Sequence, residues 1–439
     1  MKSISIKNLK EHFDEEVVVS GFVDNIRNLQ WVQFVIIRDN ESKVQVTIEK
    51  SEEKNKEMVE LIENLPLEST VKITGKLVES PKVKLNGMEI IPETIEVTSK
   101  SLEELPFNFK DLDNVNIDTR LDYRFIDLRN EKNTLIFQIQ SELTKYMREY
   151  LYNNEFTEIH TPKLIGAASE SGSEVFEVKY FDRKAYLAQS PQFYKQMAMS
   201  AGLNRIFEVA PVFRAENSNT SRHATEFTGF DVEFSYIDSY EDVMNLEAEL
   251  ITYAFEKISD KYKDKIKEVF GMDLVVPKLP FPKMKLADIY KELEERYGYK
   301  VEESEKTDLT TEAEKLCYKL SKDMFDHEFL LVTDYPADKR AFYHMRDENG
   351  VLLGYDLLWR GVEITSGAQR ENRYDELVKN AEEKGLKDDV KFYLEFFKYG
   401  CPPHGGFGIG LDRLTMLLLG IPSVKETEFL FRGPNRLNP

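Results

Sequence analysis

Three stretches carry side chains whose types and spacing suit chemistry on a phosphate-bearing ligand. The first is Phe213-Arg214-Ala215-Glu216, then Asn217–Thr220, then Ser221-Arg222-His223 and Thr225-Glu226-Phe227. An arginine at a strand end can hold a phosphate or carboxylate through two parallel hydrogen bonds. Phe227, on the return strand, offers an aromatic face to a base. The second is Trp359-Arg360-Gly361-Val362-Glu363-Ile364-Thr365-Ser366-Gly367-Ala368-Gln369-Arg370. A carboxylate such as Glu363 can hold Mg²⁺ together with substrate phosphates, and Arg370 adds a fixed cation. Alternation places Glu363 on one strand face with Gly361 and Thr365. The third is Gly405-Gly406-Phe407-Gly408-Ile409-Gly410, followed by Leu411-Asp412-Arg413. Glycines let backbone approach a flat ligand, and an arginine opening a helix can meet phosphate or stack on a base. Each stretch alone has a plain alternative: a salt-bridged surface hairpin, a buried Glu–Arg pair, a packing turn. The sequence holds no GxxxxGK[ST] loop and no HExxH motif.

These stretches need elements to hold them. Residues 1–100 read as five strands, Val17–Val23, Trp31–Arg38, Lys43–Glu49, Val71–Leu77 and Met88–Val97, with helical spacing over Lys54–Asn64. That order predicts an OB-type barrel, a fold whose open face often binds oligonucleotides. Ser99–Asp118 is polar and aperiodic and reads as a hinge, giving a linker over 101–130 and a second domain over 131–439. Within that domain, amphipathic helices are predicted at Leu135–Tyr152, Tyr240–Lys267, Tyr374–Lys384 and Asp389–Tyr399. Strands resume at Tyr355–Ile364, and residues 268–345 are less decisive. Strands followed by mixed helix and sheet predict an α+β protein.

Composition bounds the partners. The 439 residues carry 59 Lys and Arg against 79 Asp and Glu, a formal charge of −20. That excludes a protein gripping polyanions by charge alone, though not local recognition of RNA. Residues 1–100 are themselves more acidic than basic, so any RNA contact there must rely on stacking, base edges and a few lysines such as Lys82 and Lys84. Cys317 and Cys401 form no CxxC pair, which argues for reduced thiols in a cytoplasmic protein. The N-terminus shows no secretory pattern, and no apolar run is long enough to span a bilayer.

Taken together, FRxE, a polar loop and a distant GxGxGxxR resemble motifs two and three of the class II aminoacyl-tRNA synthetases. Motif one is matched by the 135–152 helix and Phe156-Thr-Glu-Ile159-His-Thr-Pro162. Gln189-Ser190-Pro191-Gln192-Phe193-Tyr194-Lys195-Gln196, Ser169-Glu170-Ser171-Gly172-Ser173-Glu174 and the ending Phe431–Pro439 resemble the aspartate-specific branch of archaeal/eukaryotic type. The resemblance covers essentially the whole chain. It implies an OB-fold anticodon-binding barrel, a catalytic domain on an antiparallel sheet, and a homodimer with Pro162 near its interface. It also implies a reaction: L-aspartate and ATP form aspartyl-adenylate, and the aspartyl group passes to tRNA(Asp), with tRNA(Asn) as a second acceptor in non-discriminating members.

The residue roles follow from the same resemblance. Arg214 matches the motif-two arginine on the α-phosphate and substrate carboxylate. Glu216, Arg222, His223, Gly410, Leu411 and Asp412 match positions around ATP. Phe227 and Arg413 match the pair that sandwiches adenine, and Arg413 with Arg214 carries the catalytic assignment. Glu363 and Ser366 match the Mg²⁺ site. Lys195 and Arg370 match the positions holding the β-carboxylate, with Gln192 and Asp231 beside the substrate and Glu170 on the α-ammonium. Two buried cations facing a neutral asparagine would be left unpaired, an expensive error. Phe34, Gln45 and Glu89 match contacts to the central anticodon base, and Asp24 matches a position that sets tRNA discrimination. Two departures stand out: Asp412 replaces a common Glu, and Ser171 a common Gly. The main alternative is a tRNA-independent, amide-forming relative of asparagine synthetase type, against which the barrel counts. An asparagine-specific synthetase fits Lys195 and Arg370 less well. Retention of Arg214, Glu363 and Arg413 speaks against a silent RNA-binding paralogue.

Overall fold

In residues 1–100, alternating β-branched runs become five strands: β1 (Glu16–Asn28), β2 (Val32–Arg38), β3 (Lys43–Glu49), β4 (Thr70–Glu79) and β5 (Met88–Ser99). They close into a barrel in the order β1-β2-β3-β5-β4. Val17, Val19, Val35, Ile37, Val44, Val46, Ile48 and Ile73 point inward and form its core. The helix between β3 and β4 is Lys56–Glu63, shorter than the sequence predicts because Glu53–Asn55 tightens into a 3₁₀ turn. The computed structural model describes residues 3–167, 174–218, 220–337 and 340–439. The chain falls into two units, Met1–Thr134 and Leu135–Pro439.

The stretch expected to be a linker is structured and belongs to the first unit. Helices Ile117–Asp122 and Arg124–Asp127 form there, with Asn116 Oδ1 capping Asp118 N at 2.8 Å. Buried Asp127 accepts from Arg120 Nε at 2.6 Å and also pairs with Arg124. Lys110 reaches Asp24 at 2.9 Å, and Arg129 reaches Glu68 at 2.6 Å. Ion pairs hold this segment together with the scattered buried residues Phe109, Leu121 and Ile126, which form no regular apolar stripe, so hydrophobic periodicity gave little signal. Asp24 is 8% exposed and also paired to Arg38 at 3.0 Å. Burial pushes its carboxyl up, but Lys110, Lys43 and Arg38 together hold it below the usual range.

In the second unit the strands are β6 (Thr157–Glu158), β7 (Leu164–Ile165), β8 (Glu177–Tyr180), β9 (Arg183–Leu187), β10 (Arg205–Phe213), β11 (Glu226–Ser235), β12 (Lys283–Lys285), β13 (Phe329–Thr333), β14 (Gly354–Trp359), β15 (Val362–Gln369) and β16 (His404–Gly410). Eight of them form one sheet, β12-β13-β14-β15-β16-β11-β10-β6. It is antiparallel except at its two edge pairs, β12/β13 and β6/β10. A small sheet, β7-β9-β8, stands apart. Helix Tyr240–Phe270 packs against β15 and β16. A capping box of Ser239 and Asp242 starts it, and Gly271 at φ 71° ends it. The indecisive region 268–345 holds β12, helices Leu286–Tyr297 and Thr311–Phe325, and β13, around a separate core of Leu286, Ile289, Leu293, Cys317 and Leu320. No helix among the described residues is long and apolar enough to cross a membrane.

Two backbone details position the chemistry. The run Tyr355–Ile364 is a hairpin, turning at Arg360 and Gly361, both at positive φ. A bulge follows: Leu357 faces Thr365, yet Leu358 faces Glu363. The extra residue breaks the alternation. Glu363 therefore shares a face with Ser366 and Asp356, not with Thr365 as alternation predicts. Thr365 lies on the opposite face, with Tyr355, where the Tyr355 hydroxyl donates to buried Glu247 at 2.7 Å. The glycine-rich stretch is a central strand rather than a packing turn, with Gly406 opposite Glu233 and Gly408 opposite Asp231. A Cβ at Gly406 would stand 2.1 Å from Val232 O, so the close strand approach there requires glycine.

Candidate active site

The three stretches meet at one cavity of about 340 Å³ in the second unit. Gln192, Lys195, Arg214, Glu216, Arg222, His223, Phe227, Asp231, Glu363, Ser366, Arg370, Gly410, Asp412 and Arg413 all line it. Leu411 does not; it is buried where helix Leu411–Leu419 begins. Glu170 lies outside the described residues.

At one end, Arg214 follows β10 and stacks over Phe227 at 5.5 Å. Arg413 donates to Glu363 O at 2.7 Å and to Arg222 O at 3.2 Å, tying helix Leu411–Leu419 to β15 and to the loop between β10 and β11. Arg222 pairs with Glu314 of helix Thr311–Phe325, so the indecisive region reaches the site. His223 Nε2 lies 3.9 Å from Glu216. Burial, then the Arg413 charge, keep its pKa below the ordinary histidine value. Asp412 is a brace as well as a wall. Its carboxylate accepts from Gln140 Nε2 at 3.1 Å and from Thr228 N at 3.0 Å, and burial pushes it up to about 6.

At the other end, two cations and two carboxylates are interleaved out of water. Lys195, 1% exposed, lies 2.9 Å from Asp231 and 3.4 Å from Glu233. Arg370 donates to Glu233 at 3.0 Å and to Gly406 O at 2.9 Å. Burial pushes fully buried Glu233 up, but Arg370 and Lys195 outweigh it and hold the carboxyl below its ordinary value. This revises the expected basis of selectivity. A neutral ligand would not meet two bare cations, because Asp231 and Glu233 already offset them. What the cluster presents to a ligand is placed N–H donors rather than bare charge.

Between the two ends lie the hard oxygens. Ser366 Oγ is 2.8 Å from Asp356 Oδ1 and 3.2 Å from Glu363 Oε1. Asp356 also pairs with Arg340. Burial, and then the Asp356 carboxylate, push Glu363 up to about 7. A hydroxyl and two crowded carboxylates suit Mg²⁺, which takes few protein oxygens and shares its shell with phosphates.

Sequence reasoning missed Glu233, Asp356 and Arg340. Glu233 had a signal: Asp231-Val232-Glu233 puts two acids on one strand face. Asp356 had none without the register that sets it opposite Ser366.

Glu428 also lines the cavity, and burial followed by Asp412 pushes it up to about 9. Its ordinary value is 4.5, so between these limits the folded chain keeps a proton that the unfolded chain has lost. Stability therefore falls as pH rises through that window, by up to ~1.4 kcal/mol per pH unit. Glu428→Gln removes the titration. The variant should match the parent near pH 5 and exceed it by about 2 kcal/mol or more at pH 8. Urea unfolding at the two pH values measures the difference, and parallel pH profiles would reject the assignment.

In the barrel, Phe34, Gln45 and Glu89 come together on the outer face. Phe34 pairs across from Thr47, and Gln45 from Glu89. Gln45 Nε2 donates to Glu89 at 3.3 Å, and Arg27 lies 5.6 Å over the Phe34 ring.

The family described as tRNA synthetases class II (D, K and N) matches residues 116–431, and the OB-fold nucleic acid binding domain matches residues 17–98. The aspartate–tRNA(Asp/Asn) ligase of Aeropyrum pernix is 41% identical over 429 residues, covering 96% of this chain and 95% of that protein. The aspartate–tRNA(Asp) ligase of Pyrococcus furiosus is 40% identical over 446 residues, covering 98% and 100%. The asparaginyl-tRNA synthetase of Pyrococcus horikoshii, solved with asparaginyl-adenylate, superposes with a TM-score of 0.91 at 30% identity over the full length of both chains.

Proposed function

The chain belongs to the class II tRNA synthetases (D, K and N), and from that premise we propose how its cavity serves as the activation site of an aspartate–tRNA ligase. The enzyme joins L-aspartate to tRNA through aspartyl-adenylate, with ATP as co-substrate. In-line attack of a carboxylate on the α-phosphorus brings two anions together, so positioning and charge neutralisation are the main needs. Lys195 and Arg370 hold the β-carboxylate. Arg214 bridges the α-carboxylate and the α-phosphate. Phe227 and Arg413 hold adenine, and Arg222, His223 and Glu216 surround the phosphates. Glu363 and Ser366 would hold Mg²⁺, which when bound would offset the triphosphate charge. Leu411 contributes through its place at the helix start, and the role of contacting the α-ammonium is assigned to Glu170 by family resemblance alone. The observation that carries this reading is the single cavity in which the Lys195–Asp231–Glu233–Arg370 cluster stands beside Arg214, Glu363 and Arg413.

The test is ATP–pyrophosphate exchange with each amino acid in turn. Exchange that depends on L-aspartate is expected; exchange with asparagine but not aspartate would overturn the reading. Relatives of both acceptor ranges match the chain, so tRNA(Asp) and tRNA(Asn) are charged side by side to read the acceptor range. The protein acts in the cytoplasm, in keeping with two free cysteines. It acts as a homodimer, supported by the exposed apolar Leu164, two residues from Pro162, and by exposed Tyr180 and Phe181 at the β8–β9 turn of the same small sheet. Sedimentation of the free enzyme tests the dimer, a monomer being the adverse result.

Residues 1–100 form the anticodon domain, 101–130 the segment fastened to it, and 131–439 the catalytic domain. Phe34 stacks on the central anticodon base, and Gln45 and Glu89 read its edge. One stacked base is worth about 1–3 kcal/mol. Phe34→Ala should therefore lower kcat/KM for tRNA by roughly ten- to a hundredfold while leaving pyrophosphate exchange within about twofold. Equal loss of both activities would refute the anticodon role.

A further inference from the structure

Beneath the cavity wall runs a chain of polar side chains that no role above uses: His404, Gln196 and Tyr393, each 0% exposed, leading to Gln192 at 4%. Its chemistry fixes the direction of every hydrogen bond. His404 Nδ1 lies 2.8 Å from Pro402 O. A carbonyl only accepts, so Nδ1 carries a proton. Burial favours the neutral ring, which leaves Nε2 as an acceptor. Nε2 lies 3.0 Å from Gln196 Nε2, and an amide nitrogen only donates. The Gln196 amide is thereby oriented, and its Oε1 turns the other way. There it accepts from the Tyr393 hydroxyl at 2.9 Å and from Gln192 Nε2 at 3.1 Å.

The last bond has a consequence at the site. Gln192 lines the cavity. With one N–H of its amide given to Gln196, the Gln192 amide is fixed so that its carbonyl oxygen is the end turned away from Gln196 and left to accept. Were Gln192 reversed, its Oε1 would face Gln196 Oε1, two acceptors with no proton between them. Aspartate has two carboxylates, which accept, and one α-ammonium, which donates. We propose that His404 is a positioning residue for amino-acid recognition: through Gln196 it locks the Gln192 amide so that its carbonyl receives the α-ammonium of aspartate. This rests on the reading of the cavity as an aspartate site.

The test compares His404→Asn with His404→Gln in pyrophosphate exchange. Glutamine keeps an acceptor near the place of Nε2, whereas asparagine keeps only a group near the place of Nδ1. His404→Asn should raise KM for aspartate about tenfold, with kcat and KM for ATP within about twofold. His404→Gln should stay within about threefold of the parent. Succinate, which is aspartate without its α-amino group, provides the readout that a structural role would not give. As a competitive inhibitor it should bind the parent and His404→Asn equally well. Succinate affinity falling in step with that of aspartate, or the two variants behaving alike, would overturn the proposal. If His404→Asn does not fold, Tyr393→Phe decides. A rise of about threefold in KM for aspartate alone supports the relay, and no change refutes it. Failure of the parent to use aspartate would count against the substrate reading instead, so the two failures are distinct.

Discussion

Arg370→Lys should fold like the parent yet lose roughly two to three orders of magnitude in kcat/KM for aspartate. Both side chains carry one positive charge. Lysine, however, cannot reproduce a guanidinium that bonds Glu233 and Gly406 O while also lining the cavity. Arg370→Leu should lose activity altogether and also stability, by about 3–5 kcal/mol, because Glu233 is wholly buried and would face only Lys195 and His404. Removing both charges separates the two effects. Arg370→Leu with Glu233→Leu should regain most of the stability, since a buried pair replaced by apolar groups is often neutral, yet remain inactive towards aspartate. Denaturant unfolding and pyrophosphate exchange on the three variants give the answer. An Arg370→Lys enzyme within tenfold of the parent would show that charge, rather than donor placement, selects the substrate.

That case also shows where sequence suffices and where it stops. The barrel was legible because Val17, Val19, Val35, Ile37, Val44 and Val46 alternate in the sequence as they do in space. The cavity's cations Arg214 and Arg413 were legible because short motifs keep them beside recognisable neighbours. Three things were not. The fastening of residues 101–130 depends on ion pairs such as Lys110–Asp24, which leave no periodic trace. Glu233 and Asp231 counter the two cations only because Gly406 and Gly408 stand opposite them and leave the space. The face on which Glu363 lies is set by a bulge, and strict alternation gives the wrong partner. Each is a matter of register or pairing between distant segments, and a single strand read alone contains neither.

The bulge makes Glu363 the position with the second large expected effect. It sets the Glu363 carboxylate beside Ser366 and in the field of Asp356, which together with burial raises it to about 7. Two acids crowded on one face destabilise each other unless a cation joins them, and the ligand proposed for this cavity brings both Mg²⁺ and a triphosphate. Glu363→Gln keeps the shape, removes the charge and should lower pyrophosphate exchange about a thousandfold or more, roughly 4 kcal/mol in the barrier. Aspartate binding measured by calorimetry without ATP should stay within about threefold, because Arg370 lies past the far end of β15, and Lys195, Asp231 and Glu233 lie on other elements. Asp356→Asn should cost less, about tenfold, because Arg340 already occupies much of that carboxylate, and raising Mg²⁺ should recover part of it. A larger loss in Asp356→Asn than in Glu363→Gln would place the principal charge on Asp356, and equal losses would show that the two share it. A Glu363→Gln enzyme within tenfold of the parent would mean that the cationic side chains alone neutralise the phosphates, leaving the acidic face of the hairpin a structural role.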